Sequence, residues 1–334
     1  MEFKIKDNAA WGVIGYGSWA TALAGLLTKS GNRIGWYIRN REVLEGLQAE
    51  GHNPKYISEL EFDRNLLNLS DDINKIVSEC DILLVSVPSA YLTTFLEPLE
   101  VPLKNKFVIS AIKGIIPGDY STVAEFFHDK YSLSYGQLGI IAGPSHAEEV
   151  SRGKLSYLTV VCTDPDNAKT VSKSLQSDSL ITHLSSDLYG TEYAAILKNI
   201  YAIAAGIAEG LGYGDNFKAV LAAASAGEMT RFINESYPFV RDTMESAYLG
   251  DLLVTCYSTY SRNRRLGLLI GHGCTVKSAL NEMTMIAEGY FASECIHIVN
   301  KRYGIRMPVA DMVYDILYCG AYPRKRMKEL TAEL

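Results

Sequence analysis

The sequence has no low-complexity tract, no internal repeat, and no apolar run long enough to cross a bilayer without a charged or polar interruption. Its start, MEFKIKDNAA, carries acids and no apolar signal core, so the expectation is a cytoplasmic protein that does not enter a membrane. A basic balance is missing too. With a formal charge of -6, the chain lacks the cationic surface that phosphate-backbone binding needs, which argues against nucleic acid as a partner. The six cysteines, Cys80, Cys162, Cys256, Cys274, Cys295 and Cys319, stand far apart and mostly in apolar runs. They form no metal-ligand or redox spacing, so no metal site is expected and the thiols are expected to be reduced. What remains is globular: 48% hydrophobic and 21% charged over 334 residues, enough for roughly two domains, each with its own core.

The first half alternates strands and helices. Residues 10–14 are a short apolar run that passes into Gly15-Tyr16-Gly17-Ser18-Trp19-Ala20 and then a helical pattern to Lys29. Strand, glycine turn and helix in that order make a dinucleotide-binding unit, where glycines permit the tight turn and let backbone N–H groups approach a pyrophosphate at a helix N-terminus. Alone, GxGxxA also fits a glycine turn with no ligand. Here Gly31-Asn32 ends the helix and residues 33–38 supply a second strand. NAD-specific sites usually place an acid at the end of that strand. This chain has Ile38-Arg39-Asn40-Arg41 instead. A cation there can meet a 2'-phosphate, so the expected cofactor is NADP(H), NAD(H) or both; a solvated arginine pair is the alternative.

Residues 81–87 and 107–112 are nearly unbroken apolar runs, as in parallel strands buried on both faces. The second ends in Lys113-Gly114. Residues 139–142 end in Gly143-Pro144-Ser145, where Ser145 and Glu148 have capping-box spacing for the next helix. Residues 157–162 and 180–184 read as closing strands around a helix over 165–177. Ligands in such sheets bind beyond the carboxyl ends of the strands, where Lys113 and Ser145 fall. After Asp187 the patterns are helical only. The fold class expected is α/β: an N-terminal Rossmann-type doubly wound sheet over 1–187, then an all-α C-terminal domain over 188–334.

Two stretches of the second domain carry chemistry. In YGTEYAAILKNIYAIAAGIAE, residues 189–209, Lys198 stands at helical spacing on a stripe of small residues, Thr191, Ala194, Ala195, Ala202 and Ala205. Ile196, Ile200, Ile203 and Ile207 form the opposite, bulky face. A lysine amid alanines has room for a ligand or for a closely packed partner helix. In GDLLVTCYSTYSRNRRLG, the residues Asp251, Thr255, Ser258 and Arg262 follow at steps of four, three and four, giving one polar face if Asp251 caps the helix. That face suits a small phosphorylated molecule or a solvated helix surface.

Together GYGSWATALA, SAIKGI, AGPSHAEEV, ILKNIYAIAAGIAEGLGYGDN, LGDLLVTCYSTYSRNRRLG and MIAEGY, in that order over about residues 10–320, closely resemble the NAD(P)-dependent glycerol-3-phosphate dehydrogenases. The resemblance implies reversible reduction of dihydroxyacetone phosphate to sn-glycerol 3-phosphate for glycerophospholipid synthesis, and a homodimer. It also implies site residues. Gly15, Gly17, Ser18 and Trp19 would meet the cofactor phosphates, Arg39 and Asn40 the adenosine end, and Lys113, Ala147, Arg262 and Glu288 the cofactor as well. Substrate would touch Lys113, Gly143, Ser145, Lys198, Asp251, Ser261, Arg262 and Asn263. Lys198 matches the proton donor and acceptor, with Asp251 and Lys113 as its catalytic partners. Departures stand at Ala20, at Ala224-Ser225-Ala226 where the family commonly has Thr-Arg-Gly, and at Tyr248 where glycine is frequent. Rival readings are a related dehydrogenase for another hydroxy acid and a non-catalytic NADP(H) sensor.

Overall fold

The structure, a computed structural model, describes residues 3–283 and 285–334, so Met1 and Glu2 of the N-terminal stretch lie outside the described residues. The chain forms two compact units. One runs to Ile112 and resumes over Val123–Leu188; the other comprises Lys113–Thr122 and Tyr189–Leu334.

The first unit alternates β1 (Trp11–Ile14), α1 (Ser18–Lys29), β2 (Ile34–Tyr37), α2 (Arg41–Ala49), β3 (Leu67–Ser70), α3 (Ile73–Glu79), β4 (Ile82–Val85) and α4 (Leu92–Leu96). It continues with β5 (Phe107–Ser110), α5 (Val123–Tyr131), β6 (Leu138–Ala142), α6 (Ala147–Ser151), β7 (Ser156–Cys162), α7 (Pro165–Leu175) and β8 (Leu180–Ser185). All eight strands lie in one sheet of order β3-β2-β1-β4-β5-β6-β7-β8. Every pair is parallel except β6 with β7, where residues 143–155 return the chain on the same edge without a full crossover. The strand order reverses between β1 and β4, the topological switch point at whose carboxyl edge ligands bind in such sheets. Strands β1, β2, β4, β5 and β6 are buried at every residue, which is why they read as continuous apolar runs. The fold class matches the expectation. Strand β3, Leu-Asn-Leu-Ser at the sheet edge, was not anticipated, because Asn68 interrupts its apolar pattern and only its last residue is buried.

The second unit is helical among the described residues: α8 (Leu188–Gly210), α9 (Asp215–Ser236), a π-helical turn over Ser246–Gly250, α10 (Asp251–Tyr257), α11 (Arg262–Gly271), α12 (Val276–Glu282), α13 (Glu288–Asn300), α14 (Pro308–Tyr318) and α15 (Pro323–Thr331). Helix α8 is buried on nearly all sides and is the axis of this core. Its small residues serve a close crossing: a Cβ on Gly267 of α11 would stand 2.1 Å from the Ile203 carbonyl oxygen, and one on Gly206 of α8 would stand 2.0 Å from that of Arg264. Residues 113–122, placed with the first domain by the sequence reading, pack with the helices, because Ile115 is fully buried in the helical core. Among the described residues no helix is long and apolar enough to cross a membrane.

Candidate active site

Lys198 lies midway along α8 and is 4% exposed. Its Nζ donates to Asp251 Oδ1 at the start of α10, and Lys113 Nζ reaches the other carboxylate oxygen, Oδ2, at 3.3 Å. Asp251 is 1% exposed, so the carboxylate and Lys198 are held out of water while Lys113 reaches them from a half-buried position. Burial drives the Lys198 ammonium down; Asp251 opposes this and Lys113 adds to it, leaving a pKa of about 7 against the ordinary 10.5. For Asp251, burial alone would raise the pKa, but Lys113 and Lys198 together hold it below its ordinary value. Two ammonium groups face one carboxylate, and losing one proton from Lys198 balances the charge. A lysine that titrates near neutrality can give or take a proton at a reacting oxygen.

A chain of amides fixes the same cluster. Asn199 Nδ2 donates to the Lys113 carbonyl at 2.7 Å and to that of Ala195 at 3.1 Å. Its Oδ1 accepts from Asn263 Nδ2 at 2.8 Å, and Asn263 Oδ1 accepts from Gly289 N at 2.8 Å. The loop carrying Lys113, the lysine helix, the start of α11 and the first turn of α13 are thereby joined by buried, satisfied amides. Of the sequence-derived residues, Lys113, Lys198, Asp251 and Asn263 are thus in one network, with Glu288 adjoining Gly289. Asn199 was missed as a site residue; its only signal was its place beside Lys198.

The single polar face drawn from Asp251 to Arg262 does not form. Gly250, with no side chain to contribute, precedes the first residue of α10; the Asp251 carboxylate is taken by the lysines, and Thr255 Oγ1 donates to the Asp251 carbonyl at 2.5 Å. Helix α10 stops at Tyr257, and Ser258 turns to accept from Tyr260 N at 3.1 Å. A new helix, α11, then starts at Arg262 with buried Ser261 as its N-cap, accepting from Arg264 N at 3.3 Å. Arg262 is exposed on the first turn of α11, beside buried Asn263. Acidic residues are absent from that turn, which suits an anion.

In the first unit the glycine turn joins β1 to α1. Gly15 has φ of +122°, and a Cβ there would stand 2.1 Å from the Ser86 carbonyl oxygen, so only glycine fits. The turn is tied from behind: Trp36 Nε1 donates to the Gly15 carbonyl at 2.6 Å, and buried Asn53 Nδ2 donates to the Tyr16 carbonyl at 2.9 Å. Trp36 and Asn53 were not recognised from sequence, since neither lies near the turn in the chain. Gly17 precedes α1 with no side-chain cap, open space where its Cβ would be, and no acid in the helix's first turn. With Ser18 and Trp19 opening α1, this cradle fits a dinucleotide pyrophosphate at a helix N-terminus.

The other predicted residues of this unit also lie beyond the carboxyl ends of strands. Arg39 follows β2, and Asn40 caps α2 by accepting from Val43 N at 3.1 Å. Gly143 follows β6 with φ of +110°. The expected capping box does not form there: Ser145 Oγ donates to the Gly143 carbonyl at 3.0 Å, and α6 starts at Ala147 after His146. A two-residue turn bond satisfies Ser145 sooner than a helix one residue further on could.

Comparison with known proteins matches this arrangement over nearly the whole chain. A family described as NAD-dependent glycerol-3-phosphate dehydrogenase matches in two parts, its N-terminus over residues 11–168 and its C-terminus over residues 187–328. Glycerol-3-phosphate dehydrogenase (NAD(P)+) of Staphylococcus carnosus is 33% identical over 308 residues, covering 92% of each chain. The chain belongs to the NAD-dependent glycerol-3-phosphate dehydrogenase family.

A relative of the same name from Clostridium botulinum is 33% identical over 95% of each chain. The crystal structure of glycerol-3-phosphate dehydrogenase from Coxiella burnetii superposes with a TM-score of 0.88 at 27% identity, covering 97% of this chain and 98% of that one. Departures from the family pattern have physical consequences here. Tyr248 is buried in the helical core, its hydroxyl 3.5 Å from Thr191 Oγ1 on α8, so its ring is part of the packing around the lysine helix. Within Ala224–Ala226, Ser225 Oγ turns back to the Leu221 carbonyl at 2.7 Å, and a cavity of about 60 Å³ remains among Tyr201, Ala222, Ser225 and Cys256.

Proposed function

We propose that the chain catalyses the reversible NAD(P)H-dependent reduction of dihydroxyacetone phosphate to sn-glycerol 3-phosphate, the backbone of glycerophospholipids. The observation that carries this reading is the buried contact of Lys198 and Lys113 with Asp251, in a chain of the glycerol-3-phosphate dehydrogenase family. In this reading residues 1–187 form the main cofactor-binding domain and contribute Lys113, and residues 188–334 supply Lys198, Asp251 and most of the substrate contacts. The working unit is a cytoplasmic homodimer; exposed Val220, Leu253 and Tyr257 on α9 and α10 support the dimer, and sedimentation equilibrium tests it.

The cofactor, when bound, supplies or accepts a hydride at its nicotinamide. Gly15, Gly17, Ser18 and Trp19 hold its phosphates, Arg39 and Asn40 its adenosine end, and Lys113, Ala147, Arg262 and Glu288 complete its contacts. Ser261, Arg262 and Asn263 grip the substrate phosphate at the start of α11, while Gly143, Ser145 and Lys113 orient the rest. Reduction of the ketone leaves an alkoxide that needs a proton. Lys198, as ammonium, gives it; Asp251 keeps Nζ aimed and balances the charge, and Lys113 steadies the oxygen. In the reverse direction the neutral Lys198 amine takes the hydroxyl proton. Positioned acid–base catalysis contributes about two to four orders of magnitude, so Lys198→Ala should lose at least about a hundredfold in kcat while still binding NADPH. The check is NADPH oxidation with dihydroxyacetone phosphate, beside a titration of NADPH binding. Turnover within a few fold of the unaltered protein would remove Lys198 from the role.

A further inference from the structure

The cation after β2 is held in an unexpected way. Arg39 is exposed, yet α4 fixes its guanidinium at two points: Nη1 donates to the Thr94 carbonyl at 3.2 Å, and the guanidinium carbon stands 5.2 Å from the Phe95 ring centroid. Phe95 is 6% exposed and is itself wedged. The ring of Tyr37, the last residue of β2, meets it edge-on at 5.2 Å, and the ring of Tyr16, inside the glycine turn, lies 6.0 Å away. In the sheet β2 and β4 flank β1, and α4 follows β4. The guanidinium therefore reaches from the end of one flanking strand to the helix after the other, past the end of β1 where the glycine turn begins. Among the described residues no carboxylate lies within ion-pair distance of Arg39, whereas neighbouring Arg41 pairs through Nε with Glu45 at 2.7 Å. An arginine held only by a carbonyl and an aromatic face keeps its charge uncompensated and its donor fork oriented.

Resting on the dehydrogenase reading above, we infer that Phe95, with the Thr94 carbonyl, is a positioning residue that preorganises Arg39 for the 2'-phosphate of NADPH and so sets the preference between the two nicotinamide dinucleotides. The physical ground is a difference between the two ligands at one atom. A 2'-phosphate brings close to two negative charges and gains from a charge-assisted, fork-matched contact; the 2'-hydroxyl of NADH gains far less from the same cation. Holding the fork in place before binding removes the ordering cost from the phosphate contact alone. If the guanidinium instead served as a flat plate for the adenine ring, both dinucleotides would depend on Phe95 equally.

The test is equilibrium titration of NADPH and of NADH, followed by cofactor fluorescence, with the unaltered protein and with Phe95→Leu, Phe95→Tyr and Arg39→Lys. Phe95→Leu should raise the Kd for NADPH about three- to tenfold and leave that for NADH within about twofold. Phe95→Tyr keeps the aromatic face and should restore the NADPH affinity. Arg39→Lys keeps the charge on an exposed side chain but loses the planar fork; it should reproduce the Phe95→Leu pattern even if the leucine variant folds poorly. An unchanged ratio of the two affinities in Phe95→Leu and Arg39→Lys, or equal weakening of both ligands, would overturn the role of Phe95. Failure of the unaltered protein to bind either dinucleotide would overturn the dehydrogenase reading itself.

Discussion

At the scale of single residues, the decisive feature is a charge imbalance out of water. Lys113 and Lys198 share one carboxylate, and the more deeply buried of the two lysines carries the adjustable proton. Its lowered pKa of about 7 makes the two directions of the reaction respond oppositely to pH. Ketone reduction needs the ammonium, so kcat/KM for dihydroxyacetone phosphate should fall as pH rises through about 7. Oxidation of glycerol 3-phosphate needs the amine, so its kcat/KM should rise through the same region. Initial rates in both directions across pH 6 to 9, at fixed ionic strength, check this. Profiles of the same sign would place the titrating group elsewhere. Asn199 shows why a list of reactive residues is incomplete. It has no proton to transfer, yet it holds the Lys113 carbonyl and is held by Asn263, so the position of one lysine depends on two amides far away in sequence.

At the scale of elements, α8 and α11 are locked by glycine. The Cβ added at Gly267 would stand 2.1 Å from a main-chain oxygen, far inside van der Waals contact, and no rotamer change can relieve a backbone contact. Overpacking of flexible side chains costs about 1 to 3 kcal/mol, so Gly267→Ala should reach at least the top of that range, lowering Tm by roughly 6 °C or more. Gly227 on α9 is the control: nothing lies within 4 Å of its added Cβ, and Gly227→Ala should be neutral or stabilise by up to about 1 kcal/mol. Thermal melts of both variants decide the matter, and equal melting points would show that the crossing relaxes. The same helices mark what the sequence could and could not say. Periodicity found α8 and its lysine, and unbroken apolar runs found the central strands, because burial on all sides leaves a one-dimensional signature. It could not say that α8 meets the glycines of α11 through the backbone of Ile203, Gly206 and Ile207, that a tight turn at Ser258 splits the polar face, or that Trp36 and Asn53 tie down the glycine turn. The first and last of those are pairings across the chain with no local period, and the turn at Ser258 is a break that helical spacing alone does not show. Strand β3 failed for the opposite reason: at the sheet edge three of its residues are only half-buried, and Leu-Asn-Leu-Ser has no apolar run to show.

At the scale of the whole molecule, the catalytic lysine is a cost to folding, and pH should reveal it. In the unfolded chain Lys198 titrates near 10.5, while in the folded protein it does so near 7. Between those values the unfolded state binds the extra proton, so this group makes stability rise with pH over the window from about 7 to about 10, by on the order of 1 kcal/mol per pH unit. Below about 7 both states are protonated and the full penalty of burying the ammonium persists. Lys198→Met removes the proton and keeps much of the volume, and it leaves Asp251 with Lys113 at 3.3 Å, a balanced pair instead of a surplus cation. The variant should therefore be at least as stable as the unaltered protein at pH 6.5 while having little turnover, and its advantage should shrink steadily toward pH 9. Asp251→Asn should behave in the opposite sense, because it takes the shared carboxylate away from buried Lys198 and half-buried Lys113; removing one partner of a buried ion pair costs up to about 3 to 5 kcal/mol, and less here to the extent that Lys198 sheds its proton. Urea melts of the three proteins at several pH values, followed by circular dichroism, measure the gaps directly. A Lys198→Met gap that did not change with pH would mean that the folded lysine keeps its ordinary proton affinity, and the poised acid–base role would have to be given to another group.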